Sequence, residues 1–461
     1  MNSLFFYTET LYEKFVSYHI LRLDIHPPFP LLPPIFFLNI FLYKKNTHFV
    51  ISTLQNQLFY LILWQLLSKM ESFIRTHKYL VQRVESPVRR LLTDEIDWTH
   101  RLIGIKGTRG VGKTTFLLQF ARDHYETNHK RCLYVNFNNF YFTTHTLIDF
   151  AGEFYANGGR TLLLDQIFKY ENWSKELRFC YDNFPELQII FTGSSVMRLV
   201  EDNTDLQDVV AVYNLQGFSF REYLNLKSGN EFPKYSLEEI LKNPIEISEK
   251  IRNIVNPLDH FSDYLHHGFY PFFLESRNYS ENLLKTINMV MEVDILLVKQ
   301  IDLKYLSKIR KLLNLIMQCA PCTLNVSQLS DEIQTSRSTV MNYLKYLRDA
   351  RLLNLLYPNG DNFPKKPRAV FPQNTNIMHV LVDEVIPEYE HMTFLYNALH
   401  SRHKVNLGKK HADFLVDGTL NIAYYRDKEI RKKNPLVYYA VVDESKIGKN
   451  EIPIWLFGFL Y

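Results

Sequence analysis

The chain has 461 residues, enough for about three domains, and carries 53 basic against 49 acidic residues for a formal net charge of +4. With 46% hydrophobic and 22% charged residues, it is excluded from the disordered and fibrous classes. Its four cysteines, Cys132, Cys180, Cys319 and Cys322, are too few for a disulfide framework at this length and point to a reducing, cytoplasmic setting.

From the N-terminus onward the charge is unevenly spread. Residues 1–69 hold only 8 charged residues, about 12% of the stretch against about 24% of the remainder. Residues 25–43, IHPPFPLLPPIFFLNIFLY, contain Pro27, Pro28, Pro30, Pro33 and Pro34, and the uncharged stretch that follows has a solid apolar block only over Leu58–Trp64. Neither reaches the roughly 20 apolar residues of a membrane span, and no small-residue cleavage site follows them. Neither a membrane anchor nor a signal peptide is expected. Residues 1–69 read as an extension without a folded role, with the functional chain beginning at Met70 and carrying a net charge of about +2.

From Leu102 the sequence reads LIGIKGTRGVGKTTFLLQFARDHY. An apolar strand over Leu102–Ile105 enters Gly107, Thr108, Arg109, Gly110, Val111, Gly112, Lys113, Thr114 and Thr115, and a helix with Phe116, Leu117, Phe120 and Ala121 as its apolar positions follows. The pattern GxxxxGK(S/T) between strand and helix predicts a phosphate cradle. Its glycines let backbone N–H groups close on phosphates, the helix N-terminus adds positive potential, Lys113 reaches the terminal phosphates and the Thr114 hydroxyl takes a Mg²⁺ position. ATP and Mg²⁺ are the expected ligands.

A second apolar strand, Thr161–Leu164, runs into Asp165, the carboxylate expected to hold Mg²⁺ together with Thr114. ATPases with an additional-strand core place a glutamate next, which polarises the attacking water. Here it is Gln166, and an amide can hold a water but cannot accept its proton. A third strand over Gln188–Phe191 leads to Thr192-Gly193-Ser194-Ser195, where Thr192 is the expected γ-phosphate sensor and a capped turn is the alternative. Asp165, Gln166 and Thr192 are thus the candidate catalytic residues.

These motifs are joined by THKYLVQRVESPVRRLL before the loop, NWSKEL after LLLDQ, FTGSS, YNLQGFSFREYL, GFYPFF, and DFLVD near the end. Over Met70–Tyr461 they resemble bacterial and archaeal P-loop ATPases of the AAA+ type that carry a winged helix and a restriction-endonuclease-like C-terminal domain. The resemblance implies an α/β fold with an ATP-binding core at 70–230 whose parallel sheet runs 5-1-4-3-2. A helical lid and linker at 231–304, a winged helix at 305–360 and a small α/β domain at 361–461 would follow. Most relatives have Asp-Glu where this chain has Asp165-Gln166, and many carry arginines in the stretch after FTGSS that here reads Asp205–Val212 without any. Arg198 and Arg221 remain as candidates for a γ-phosphate contact, with a surface or lid ion pair as the alternative. Because an arginine finger is worth about 10³–10⁵ in rate, these departures argue for slow or absent hydrolysis and leave ATPase activity open.

Ser236–Val290 reads as mostly helical and charged, with KNPIEISEKIRNIVNP as a linker-like boundary and His266 and His267 as lid packing. Cys319-Ala-Pro-Cys322 has the spacing of a redox or zinc half-site but no second half, so small buried thiols at a helix end are expected. Ile309, Leu312, Leu313 and Ile316, then Val326, Leu329 and Ile333, then Val340, Leu344 and Leu347 mark three helices, with Ser336 as an N-cap and Leu352–Tyr357 as a first wing strand. Arg337, Ser338, Asn342 and Lys345 are the candidate DNA contacts, against a packing role for the module. In the last hundred residues only Asp413 matches the metal-binding acids of endonuclease-like domains; Asp417, Glu429 and Asp443 are surface acids or migrated substitutes, and Asn421–Arg426 stands where relatives have an acidic-and-lysine segment. The favoured expectation is a nucleotide-dependent switch that reports to a protein partner or a second copy. The alternatives are an active ATPase remodelling nucleic acid or protein, and a DNA-binding module with structural nucleotide.

Overall fold

Five parallel strands build the first half of the molecule. β1 (Leu102–Gly107) lies between β4 (Gln188–Ser194) and β5 (Ala211–Asn214), β3 (Thr161–Asp165) lies beyond β4, and β2 (Cys132–Asn136) forms the edge. This is the expected order 5-1-4-3-2 read from the other side. The computed structural model describes residues 70–461 except 86, 126–129, 198, 200–202, 276–277, 410, 427–433 and 443–447. The expectations for residues 1–69 and for Arg198, Glu429 and Asp443 lie outside the described residues. Residues 71–461 form one unit.

The strands are apolar because both faces of the sheet are covered: every residue of β3 is buried, and in β1 only Lys106 is half-exposed. Parallel register pairs Ile105 with Thr192 and Leu164 with Phe191, so Gly107, Asp165 and Ser194 all finish at one edge. There β1 has β4 on one side and β5 on the other, the reversal of strand order at which open α/β sheets bind ligands.

Residues 231–304 divide between two locations. Leu237, Ile240, Ile247, Ile251 and Phe261 share a core with Trp455, Phe457 and Phe459 at the C-terminus, whereas Gly268 onward turns back to the loop after β1. The expected linker is instead the helix Pro244–Arg252, started by a proline in its first turn, where the missing N–H costs nothing.

Helices Leu306–Met317, Val326–Glu332 and Arg337–Asp349 are followed by an antiparallel ribbon, β6 (Leu353–Leu356) with β7 (Ala369–Pro372). The Ser336 hydroxyl accepts from Thr339 N at 3.1 Å, the expected N-cap. This module is not a separate body: Leu312, Leu344 and Val370 belong to the same core cluster as Ile103 and Leu117 of the sheet and its first helix. The expectation of buried thiols is corrected, since Cys319 is exposed, Cys322 is half-buried and the two form a disulfide. The C-terminal sheet runs β12 (Glu451–Pro453), β11 (Val437–Val441), β10 (Leu420–Tyr424), β9 (Phe414–Val416), β8 (Val405–Leu407), with β8–β9 and β9–β10 antiparallel and the rest parallel. Among the described residues no helix is long and apolar enough to cross a membrane.

Candidate nucleotide site

The loop after β1 turns through Gly110 (φ 82°) and Gly112 (φ 92°), backbone conformations that side chains disfavour. A Cβ on Gly110 would also lie 2.7 Å from the Phe272 ring, so the GFYPFF segment is a cover seated directly on the loop. Lys113 Nζ donates to Gly107 O at 2.7 Å and Thr108 O at 2.9 Å. Its ammonium is thus held on the loop's own carbonyls, and burial lowers its pKa to about 8.

Asp165, at the end of β3, is the hub beneath the loop. Its Oδ2 accepts from Thr114 Oγ1 at 2.7 Å and Tyr134 OH at 2.9 Å, and its Oδ1 accepts from Thr192 Oγ1 at 2.5 Å. Thr114 and Asp165 therefore present two oxygen ligands side by side, the hard donor set that suits Mg²⁺. Thr192 is fully buried and also accepts from Gln166 N at 2.9 Å. Of the hydroxyls of that strand, Ser194 lines the cavity, while Thr192, the expected sensor, holds Asp165 and Gln166 in place. Gln166 is in the left-handed region (φ 59°, ψ 36°), and its buried Oε1 has no hydrogen-bond partner among the described residues. Such a backbone costs roughly 1–3 kcal/mol and persists only where surrounding structure enforces it.

Together these groups line a cavity of about 580 Å³, closed on its far side by Pro271, Phe272 and the helical stretch from Asn282 to Asp294. Arg109 of the loop donates to Asp294 Oδ1 from Nη2 at 2.9 Å and from Nε at 3.1 Å. Asp294 is buried and lies on the π-helical turn Val290–Ile295. The sequence reading missed it, although a lone carboxylate on the buried side of the apolar run MVMEVDILL was the available signal.

Behind the loop, Arg90 is saturated. It pairs with both oxygens of the buried Glu222 at 3.2 Å, and donates to Val111 O at 3.0 Å, Gln216 O at 2.5 Å and Gly217 O at 3.2 Å. Glu222 closes a capping box with Ser219 at the start of helix Phe220–Ser228. One guanidinium thereby joins the motifs ESPVRRLL, GTRGVGKTT and QGFSFRE. Arg221 is not available to a phosphate: it is buried and donates to Tyr461 O at 3.2 Å and Phe232 O at 3.0 Å.

The remaining candidates lie elsewhere. Arg337, Ser338 and Asn342 are exposed on helix Arg337–Asp349, while Lys345 is half-buried with its ammonium 4.8 Å from the Phe363 ring centre. His266 is exposed against the His379 ring, 4.4 Å away. Asp417 accepts from His403 Nδ1 at 2.6 Å and Lys404 N at 2.9 Å in a turn. Asp413 faces Arg426, whose guanidinium lies 3.4 Å from it and 2.5 Å from Glu388. A built-in cation thus bridges the two carboxylates, and among the described residues no group of acidic, His or Cys side chains could hold a metal ion.

Residues 99–224 match the family model described as an AAA domain, and residues 258–371 match a domain of unknown function (DUF8612). A search of curated proteins returns no match. Among solved structures, the chain is similar to the Orc1 protein of Aeropyrum pernix in complex with DNA, at 11% identity over 68% of this chain and 92% of that one, TM-score 0.27. It is also similar to PCH-2 of C. elegans (16% identity, 61% of this chain and 67% of that one, TM-score 0.23) and to a DNA polymerase III gamma subunit-related protein of Thermotoga maritima (11%, 60% and 97%, TM-score 0.23). The five-stranded parallel sheet and its loop are an AAA+ type P-loop core.

Proposed function

We propose that this protein is an ATP-binding switch that turns nucleotide over slowly or not at all. The observation that carries this reading is Gln166, an amide that lines the cavity beside Asp165, where proton acceptance from water would be needed. Thr114 and Asp165 would hold Mg²⁺, which would offset the phosphate charge. Lys113 and Arg109 would then leave Gly107, Thr108 and Asp294 for the phosphates, so nucleotide binding and the lid contact at Asp294 exclude one another. A device of this kind needs only a difference in ATP affinity between its two arrangements. The C-terminal sheet fits a reporting module that does not cleave nucleic acid, because Arg426 stands where a metal would bind Asp413.

Steady-state ATPase assays on the 70–461 chain, with and without DNA, test the reading. Turnover at rates of about 1 per second or faster in the unaltered protein, ordinary for working enzymes, would overturn it. Gln166→Glu is expected to raise turnover by on the order of 10²-fold, the usual contribution of a placed base. Asp294→Asn removes the competitor for Arg109 and is expected to tighten ATP binding by roughly 5–150-fold, the range of ordinary coupling energies, in calorimetric titration. Weaker binding in that variant would make Asp294 a ligand of the bound state instead of a latch.

A further inference from the structure

A second cavity, of about 440 Å³, lies where the AAA+ core, the three-helix module and the C-terminal sheet meet. Its floor is the turn after β4, beginning at Ser195, the neighbour of the Ser194 that faces the nucleotide cavity. Arg348 and Arg351 enter from the end of helix Arg337–Asp349, and Lys404 enters from the start of β8.

Three observations point to a ligand. The Arg351 side chain is exposed and makes no ion pair or hydrogen bond among the described residues, and its backbone is held at φ 59°, an unfavourable conformation for a side-chain-bearing residue. The acids on the wall are engaged: Asp349 by Arg348 at 2.8 Å and Lys299 at 3.9 Å, and Asp361 by Lys365 at 2.5 Å. Finally, Ser195 Oγ, Tyr357 OH and Asn406 Oδ1 are buried without hydrogen-bond partners among the described residues, and all three residues line this cavity. Leaving such groups unpaired costs about 1–3 kcal/mol each, so their concentration around one cavity marks hydrogen-bonding capacity that the fold itself does not use.

We infer that this cavity binds a small phosphate-bearing molecule of up to nucleotide size, with Arg351 receiving the phosphate, Arg348 flanking it while paired with Asp349, and Ser195, Tyr357 and Asn406 meeting its polar body. The volume lies within the range of ordinary small-molecule sites. A ligand here would also be placed to influence the first site, since Thr108 Oγ1 of the loop reaches Ala350 O, next to Arg351, at 3.4 Å.

The test uses the full chain carrying Lys113→Ala, so that binding at the P-loop does not contribute, titrated calorimetrically with pyrophosphate and with AMP. At least one is expected to bind, and Arg351→Gly is expected to weaken it by roughly 10–100-fold, the value of hydrogen bonds to a charged group. Because glycine is at ease at positive φ, the same variant should melt no lower than its parent, which separates ligand binding from a structural role. Tighter binding of AMP assigns the polar wall to a nucleoside, and equal or tighter binding of pyrophosphate assigns recognition to phosphate alone. Failure of both to bind, or binding unchanged in Arg351→Gly, overturns the inference.

Discussion

Lys113→Ala is expected to abolish ATP binding in calorimetric titration, a loss of at least about 100-fold from removing several charge-assisted hydrogen bonds to phosphate, while leaving the protein folded. In the ligand-free fold the ammonium donates to Gly107 O and Thr108 O and pairs with no carboxylate among the described residues. Its pKa, lowered to about 8 by burial, sets the sign of the pH dependence. Below about pH 8 the lysine is charged both folded and unfolded, and burying that charge costs stability. Between about 8 and the ordinary 10.5 the unfolded chain holds a proton that the folded one has released, so stability rises with pH. ATP favours the charged form, so its affinity should fall as pH rises through 8 in the unaltered protein. Lys113→Ala should lose the stability increment. Unchanged ATP binding in this variant would remove the site assignment.

What could be read from sequence was local. The loop, Asp165 and Gln166 lie in contiguous motifs whose strand and helix contexts are themselves periodic, and the Ser336 cap precedes its helix directly. What was missed depends on partners far apart in the chain. Arg109 and Asp294 are separated by 185 residues, and Arg90 and Glu222 by 132; a charged residue in isolation does not reveal whether it will face water or another charge. Arg221 looked available because its acceptors are the backbone carbonyls of Phe232 and Tyr461, which no side-chain pattern records. KNPIEISEKIRNIVNP read as a linker-like boundary within a mostly helical stretch, whereas Pro244 starts a helix whose apolar face, Ile247 and Ile251, meets the C-terminal core. The Glu388–Arg426–Asp413 contact was hidden for a related reason: Glu388 and Arg426 are 38 residues apart in the chain.

The largest effect on stability is expected at Arg90. Arg90→Ala leaves Glu222 buried with its remaining donors, Leu91 N and Ser219 N at 3.0 and 3.2 Å, and without a compensating charge. Breaking a buried pair from one side costs about 3–5 kcal/mol, a large part of the 5–15 kcal/mol that usually separates folded from unfolded chains. The same change frees Val111 O, Gln216 O and Gly217 O, so the P-loop loses its anchor to helix Phe220–Ser228 and ATP affinity should fall with stability. Urea unfolding measures the first effect and titration below the transition the second. Glu222→Gln placed on Arg90→Ala is the discriminating variant. It removes the unpaired charge while its one amide oxygen can still accept from either Leu91 N or Ser219 N, which bond different oxygens of Glu222, so it should restore about 1 kcal/mol, the lower bound for relieving an unsatisfied buried group. If the double variant is no more stable than Arg90→Ala alone, the loss came from the freed carbonyls, and the Arg90–Glu222 charge pair is not what holds the P-loop against that helix.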